Sequence, residues 1–149
     1  MQLTKTTLLA ALSSLAAAAS IPRRDYTPGD FHNWTIENAR RVCDETDSEC
    51  TWSFIIDTHR EGMAPVPCEF TTKSFEGAPA SISPQHGEEC GPYVITSTWS
   101  GQFGPDQGFT TLSVIDDAYR LVAFPAYTDS QLERGDVVEP NLDFVPHAF

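Results

Sequence analysis

The fold this chain predicts is all-β: a small, disulfide-stabilised antiparallel β-sandwich or barrel with one short helical turn. Three features carry that expectation. Short runs of β-branched and aromatic residues recur along the chain, several with apolar residues at every second position, the period of a half-buried strand. Eleven prolines and nine glycines punctuate them, which suits a turn-rich chain better than a helical bundle. Four cysteines, Cys43, Cys50, Cys68 and Cys90, follow an N-terminal stretch laid out like an export signal. An even count in an exported chain implies disulfides.

Residues 1–19 read as a secretory signal peptide. Lys5 precedes an apolar stretch over 8–19, and Ala17, Ala18 and Ala19 fit an A-x-A cleavage site. The apolar run is about a dozen residues, against roughly twenty for a membrane span, so no membrane insertion is expected. Residues 20–31 contain Pro22, Pro28 and Gly29 and read as a flexible N-terminal arm. The dibasic pair Arg23-Arg24 within it is a candidate second processing site, with the cut after Arg24. Residues 32–149 then form a single β domain, a length that suits one core.

Trp34, Thr35, Ile36 and Glu37 open an alternating run that continues as a strand toward Cys43. Residues 50–57 form a clearer strand, with Trp52, Phe54 and Ile56 on the face of Cys50. The stretch 44–49 between them is polar and turn-forming. Among the three pairings that four cysteines allow, this favours a hairpin clamped by Cys43–Cys50, with Cys68–Cys90 as the second bridge. Setting Cys43 opposite Cys50 turns Arg41, Ala39 and Glu37 toward the Trp52 face and points Trp34, Ile36 and Val42 away from it. Either a bulge corrects the register or both faces are covered.

Residues 58–67 hold Gly62, Pro65 and Pro67 and read as loop. A short strand is expected over 67–72, and another loop over 74–91, where Gly77, Pro79, Pro84, Gly87 and Gly91 cluster. Residues 93–99 are β-branched and aromatic, hence a strand. The glycine-rich connection 101–108 is expected to be a turn needing positive φ. Residues 109–115 and 119–124, joined by Asp116-Asp117-Ala118, give the strongest hairpin signal in the chain. Pro125 ends the second strand or places it at an edge. Residues 128–135 read as one helical turn, capped by Thr128 or Asp129 and stopped by Gly135. Val137-Val138 and residues 142–145 are the last strand candidates.

Acidic residues number 21 against 9 Lys+Arg, a net charge of −12. Phosphates and anionic membrane surfaces are repelled by such a chain, so nucleic acid is not an expected partner. The hydrolase motifs G-x-S-x-G and H-E-x-x-H are absent from the sequence. His32, His59, His86 and His147 are scattered and read as surface residues. Asp116-Asp117 and Glu88-Glu89 read as solvated turn residues, because glycosidase carboxyls face each other across about 5–10 Å of cleft. The cysteine spacing lacks a CxxC zinc pair, and the acidic loop at Asp44, Glu45, Asp47 and Glu49 departs from the EF-hand pattern. No catalytic residue, metal or cofactor is assigned, and a non-enzymatic protein is expected. Asn33-Trp34-Thr35 is an N-glycosylation sequon with Asn33 as acceptor. Most aromatics follow strand alternation and belong to the core. Phe103, Phe109, Phe124 and Tyr127 border loops and are the candidate ligand-contact aromatics, suited to stacking on sugar rings.

The run WTIENARRVC…CTWSFIIDT, the segment WSGQFGPDQGFTTLSVID and the stretch LVAFPAYTDSQL resemble small cysteine-containing secreted proteins of filamentous ascomycete fungi. Within that group the chain most resembles the hypersensitive-response-inducing elicitors of plant-pathogenic fungi, over about residues 34–144. The resemblance implies a secreted, disulfide-bonded β protein that plants perceive and that triggers defence or cell death, with no catalytic residues. The expectation is a secreted, extracellular, monomeric effector or elicitor acting by surface recognition. Its partner would be a plant cell-surface or apoplastic protein, met through loops 58–67, 74–91 and 101–108. The alternatives are a carbohydrate-binding module that holds a cell-wall polysaccharide, and a small secreted hydrolase.

Overall fold

The computed structural model describes residues 32–149. The expected signal peptide, the arm over 20–31 and the cut after Arg24 lie outside the described residues. The rest is a two-sheet antiparallel sandwich, and the sheets do not close into a barrel. Strands β1 (Trp34–Cys43), β2 (Glu49–Asp57) and β3 (Val66–Lys73) form one sheet with β9 (Leu142–Phe144), in the order β3-β2-β1-β9. The other sheet runs β10-β7-β6-β5-β4, from β4 (Gln85–Cys90), β5 (Tyr93–Ser100), β6 (Phe109–Asp116), β7 (Leu121–Ala123) and β10 (His147–Ala148). A further strand, β8 (Ala126–Thr128), pairs with the start of β6 and leads into the helical turn α1 (Asp129–Leu132).

The register problem of β1 is solved by a bulge. Ile36 pairs with Ile56, but Arg41 pairs with Trp52 and Cys43 with Cys50, so one residue is gained between Glu37 and Arg40. Asn38 takes the left-handed conformation there, at φ 54°, which asparagine tolerates better than most residues. The extra residue returns Trp34 and Ile36 to the buried face that Ala39 and Arg41 also occupy. Trp52, Phe54 and Ile56 lie on the same face, as their alternation requires.

The two inner faces meet through aromatic contacts. Trp34 lies 5.9 Å from Tyr93, and Tyr127 packs 6.4 Å from both Trp52 and Phe144. Ile95, Leu112 and Val114 complete the layer from β5 and β6. Both flanks of the sandwich are closed, which blunts the open sheet edges. On one flank the Cys68–Cys90 disulfide ties β3 to β4. On the other, the chain leaves β9 and enters β10 across buried Pro146. Cys43–Cys50 clamps the β1–β2 hairpin, so both bridges follow the favoured pairing.

The structure departs from the sequence reading in several places. Residues 85–90 form strand β4 rather than loop. Its polar composition and Gly87 hide it, and it exists because β5 and the Cys90 bridge hold it, with a register shift between Gln85 and Glu88. Val137-Val138 is not a strand. It lies across the β1 bulge, where the Val138 N–H donates to the Ala39 carbonyl at 2.7 Å. Asp116 is not a solvated turn residue but is buried at the end of β6.

Candidate functional site

The helical turn α1 and the 101–108 connection build one end of the sandwich around Trp99. Thr128 precedes the turn, and its N–H donates to the Gln131 side chain at 2.9 Å, one half of a capping box. The next residue, Asp129, is thereby aimed back at β5. Its carboxylate accepts the Trp99 indole N–H at 2.9 Å, while its own N–H donates to the Gly108 carbonyl at 2.9 Å. Gly101 and Gly108 lie directly against the indole: a Cβ on Gly108 would sit 2.9 Å from the ring and overlap the Asp129 carboxylate. These glycines are therefore required by close approach. The expected positive-φ turn is served by Gly104, at φ 104°, and by Asp106, at φ 61°.

Two cavities flank this arrangement. One, of about 480 Å³, is bounded by Trp99, Pro105, Asp106, Asp129 and Glu133. The next, of about 470 Å³, shares Asp106, Gly108 and Ser130 with it and adds Phe103 and Phe109. Phe103 is 69% exposed and stacks on Phe109 at 5.8 Å. A third cavity, of about 410 Å³, lies on the other side of α1 and is also bounded by Asp129 and Glu133.

Arg41 lies at the floor of that third cavity and is buried, although basic residues seldom are. Its guanidinium donates to the Ser81 carbonyl at 2.8 Å and lies 5.6 Å from the Trp52 ring centre. Desolvation lowers its pKa, and the charges of Asp129 and Asp47 oppose that shift. Its Nε has no hydrogen-bond partner among the described residues. Asp47 in turn accepts the Ser81 N–H at 2.8 Å and also the Ser81 hydroxyl. The hairpin tip 44–49, the 3-10 turn Ala80–Ile82 and α1 are thus tied to one cation.

Asp44 accepts the Ser48 N–H at 2.7 Å together with the Ser48 hydroxyl, and these bonds hold its carboxyl below the usual range. Of the acidic hairpin tip, Asp44 thus serves its own turn, Asp47 the 3-10 turn, and Glu49 pairs with Lys73 at 3.7 Å. Among the described residues, the one set of three potential metal-ligating atoms is Cys43, Asp47 and Cys50. Its two sulfurs are bonded to each other.

At the opposite end, buried Asp116 pairs with Arg60 at 3.3 Å and accepts the Tyr119 N–H at 3.2 Å. The Arg60 guanidinium lies 3.6 Å from the Tyr119 ring centre, which pins loop 58–67 to the β6–β7 turn. Nearby, Thr35 Oγ1 lies 2.6 Å from His59 Nε2, and His59 Nδ1 lies 3.3 Å from Asp57. This has the outline of a hydroxyl, histidine and acid relay. Thr35 Oγ1 is also 2.7 Å from the Asp143 carboxylate, an acceptor for its single hydroxyl proton. Given to Asp143, it leaves His59 as donor to Thr35 and not as a base withdrawing that proton. The cluster staples the loop to β1 and β9.

The four candidate contact aromatics do not form a row. Phe103 and Phe109 meet as described. Phe124, 51% exposed, leans instead against His147. Tyr127 is a correction: it is 1% exposed and belongs to the core, because β8 pairing with β6 turns its ring inward onto Trp52. Asn33 is exposed immediately before β1. Sequence reading passed over Trp99–Asp129, Arg41 and Asp116–Arg60, since only the folded chain brings those partners together. The flanking Gly101 and Gly108 were the available signal for a crowded indole.

Comparison with known proteins places this architecture. The family model described as Effector TSP1 matches residues 35–149, from the second residue of β1 to the last residue. The chain belongs to the Effector TSP1 family. The protein named Effector TSP1 from Hypocrea virens is 44% identical over 149 residues, covering 98% of this chain and 97% of that one. The chain is thus a member of a fungal effector family. The Trp99 site, the β1 bulge and both disulfides all lie within the stretch that the TSP1 family model matches. Family membership and the disulfides are consistent with a secreted protein. Among the described residues no helix is long and apolar enough to cross a membrane.

Proposed function

We propose that this TSP1-family protein is secreted and acts outside the cell as a non-enzymatic effector, recognising a plant cell-surface or apoplastic protein and triggering defence or cell death. The observation that carries the reading is the near full-length likeness to a fungal effector. Structural support comes from the way the connecting segments are held. Loop 58–67 is pinned by Arg60, the 80–82 turn by Asp47 and Arg41, and the 101–108 connection by Trp99 and Asp129. A connection held in one shape loses less entropy when it meets a partner, which favours recognition by shape.

The test is infiltration of the purified protein into leaves beside a heat-denatured, reduced control. Cell death or defence-marker induction by the folded sample alone is expected. Equal responses to both samples would refute recognition of a folded surface, and no response would refute triggering of defence. A hydrolase screen of the same preparation tests the absence of catalysis. N-terminal sequencing of culture filtrate tests export and the two cleavage positions.

A further inference from the structure

We propose that the trough beside α1 is a docking site for a basic, extended peptide segment of a partner protein. The proposal rests on the reading of this protein as a recognition effector and adds the chemistry of what it recognises. Three observations lead to it. The two joined cavities present three carboxylates, Asp106, Asp129 and Glu133, and no Lys, Arg or His lines either one. Asp129 also faces the buried Arg41, but no ion pair among the described residues involves Asp106 or Glu133, in a chain already carrying −12. The same trough exposes an aromatic face, since Phe103 is 69% exposed while resting on Phe109. Carboxylates beside an open ring are the chemistry that holds an ammonium or guanidinium group, by charge and by cation–π attraction.

The placement of the carboxylates selects the kind of cation. They form no set close enough to ligate one metal ion, because the single such set among the described residues is the bridged Cys43, Asp47 and Cys50. They are strung out instead. Asp129 and Glu133 are one helical turn apart, and Glu133 still has helical φ and ψ. Their Cβ atoms are therefore spaced by about 5–6 Å. Basic side chains two apart on an extended peptide are spaced by about 6–7 Å and lie on one face. The Asp129 carboxylate is fixed by the Trp99 indole, so it is oriented before any partner arrives. A neutral sugar could stack on Phe103, but it leaves Asp106 and Glu133 without a counterpart.

The experiment titrates the purified full-length protein with a fluorescein-labelled Arg-Ser-Arg-Ser-Arg-Ser peptide, reading anisotropy at low and at high salt. A citrulline version of the peptide and a chitin hexamer are run in parallel. Saturable binding of the arginine peptide is expected, weakened by salt and absent for the citrulline peptide. Phe103→Ala should weaken it about two- to fivefold, the worth of an exposed cation–π contact. The double variant Asp106→Asn/Glu133→Gln should weaken it further. The control Glu69→Gln/Glu139→Gln, which neutralises exposed carboxylates elsewhere, should bind like the parent. Equal loss in the control would reduce the effect to net charge and overturn the proposal, as would chitin binding in place of the peptide or no peptide binding. Leaf infiltration with Asp106→Asn/Glu133→Gln separates the two levels. A lost response without peptide binding sinks the basic peptide and leaves the recognition reading standing.

Discussion

Removing the hydroxyl of Tyr127 should make this protein more stable, contrary to most changes in a core. The ring is 1% exposed, and its hydroxyl has no hydrogen-bond partner among the described residues. Burying a hydroxyl without a partner costs about 1–3 kcal/mol by mutational measures. Tyr127→Phe keeps the ring contacts with Trp52 and Phe144, each at 6.4 Å, and leaves a space too small to matter much. The expected gain is about 1 kcal/mol or more, or roughly 3–5 °C in Tm for a domain of this size. Burial also pushes the Tyr127 phenol above its ordinary value of 10.0. Because the folded value exceeds the unfolded one, stability is intact below pH of about 10 and declines as pH rises through the folded value. Tyr93 is shifted the same way, so the variant should lose stability more gradually with alkali, not cease to lose it. Calorimetric melts of parent and variant between pH 7 and pH 11 read both effects. A Tm lowered by several degrees at neutral pH would show that the hydroxyl is satisfied and refute the reasoning.

Other perturbations probe the flank, the indole and the hairpin tip. Cys68→Ser with Cys90→Ser opens a loop spanning 22 residues. This should lower stability by about 3 kcal/mol and expose 74–91 to protease; an unchanged melt with unchanged proteolysis would deny the bridge its role. Gly108→Ala should drive the Asp129 carboxylate off the indole, altering Trp near-UV circular dichroism and lowering stability by about 1–3 kcal/mol. Parent-like spectra and Tm would contradict the close packing. For Asp44, hydrogen bonding from Ser48 depresses the carboxyl, so its contribution is present above the ordinary carboxylate range and lost as pH falls through the folded value. The protection factor of the Ser48 amide against hydrogen exchange should therefore fall on acidification in the parent and show no such dependence in Asp44→Asn.

Sequence alone reveals the strands whose faces differ sharply in polarity. Trp52, Phe54 and Ile56 alternate with polar neighbours, so β2 and its partner Cys43–Cys50 could be read directly. The conflict in β1 was also legible, but its resolution was not. A bulge at Asn38 depends on the Val138 segment lying over Ala39, a contact across about a hundred residues. Strand β4 was hidden because its pairing is tertiary in origin, not a matter of local propensity. At the site, the acidic and aromatic residue types were visible, whereas their sorting was not. Phe109 and Tyr127 both border loops in sequence, yet the β6–β8 pairing sends Tyr127 into the core and leaves Phe109 beside the trough. Asp116 looked like a turn residue because its partner Arg60 lies 56 residues away.

The buried Arg41 connects fold and recognition most directly. A guanidinium out of water is costly unless its surroundings compensate. Here the compensation comes from three segments distant in sequence: the Ser81 carbonyl, Asp47 at the hairpin tip and Asp129 at the start of α1. None of the three can drift without leaving a buried charge less well compensated, so their order is coupled. Asp129 is the shared member, since it faces Arg41 on one side and holds Trp99 on the other. The trough wall formed by α1 is thereby braced against the core by a cation and an indole. A partner approaching from the 101–108 side meets a surface whose ordering was completed on folding, so less of its binding energy is spent on fixing loops. The same coupling has a cost in adaptability: changes at Asp47 or Ser81, outside the trough, reach it through Arg41.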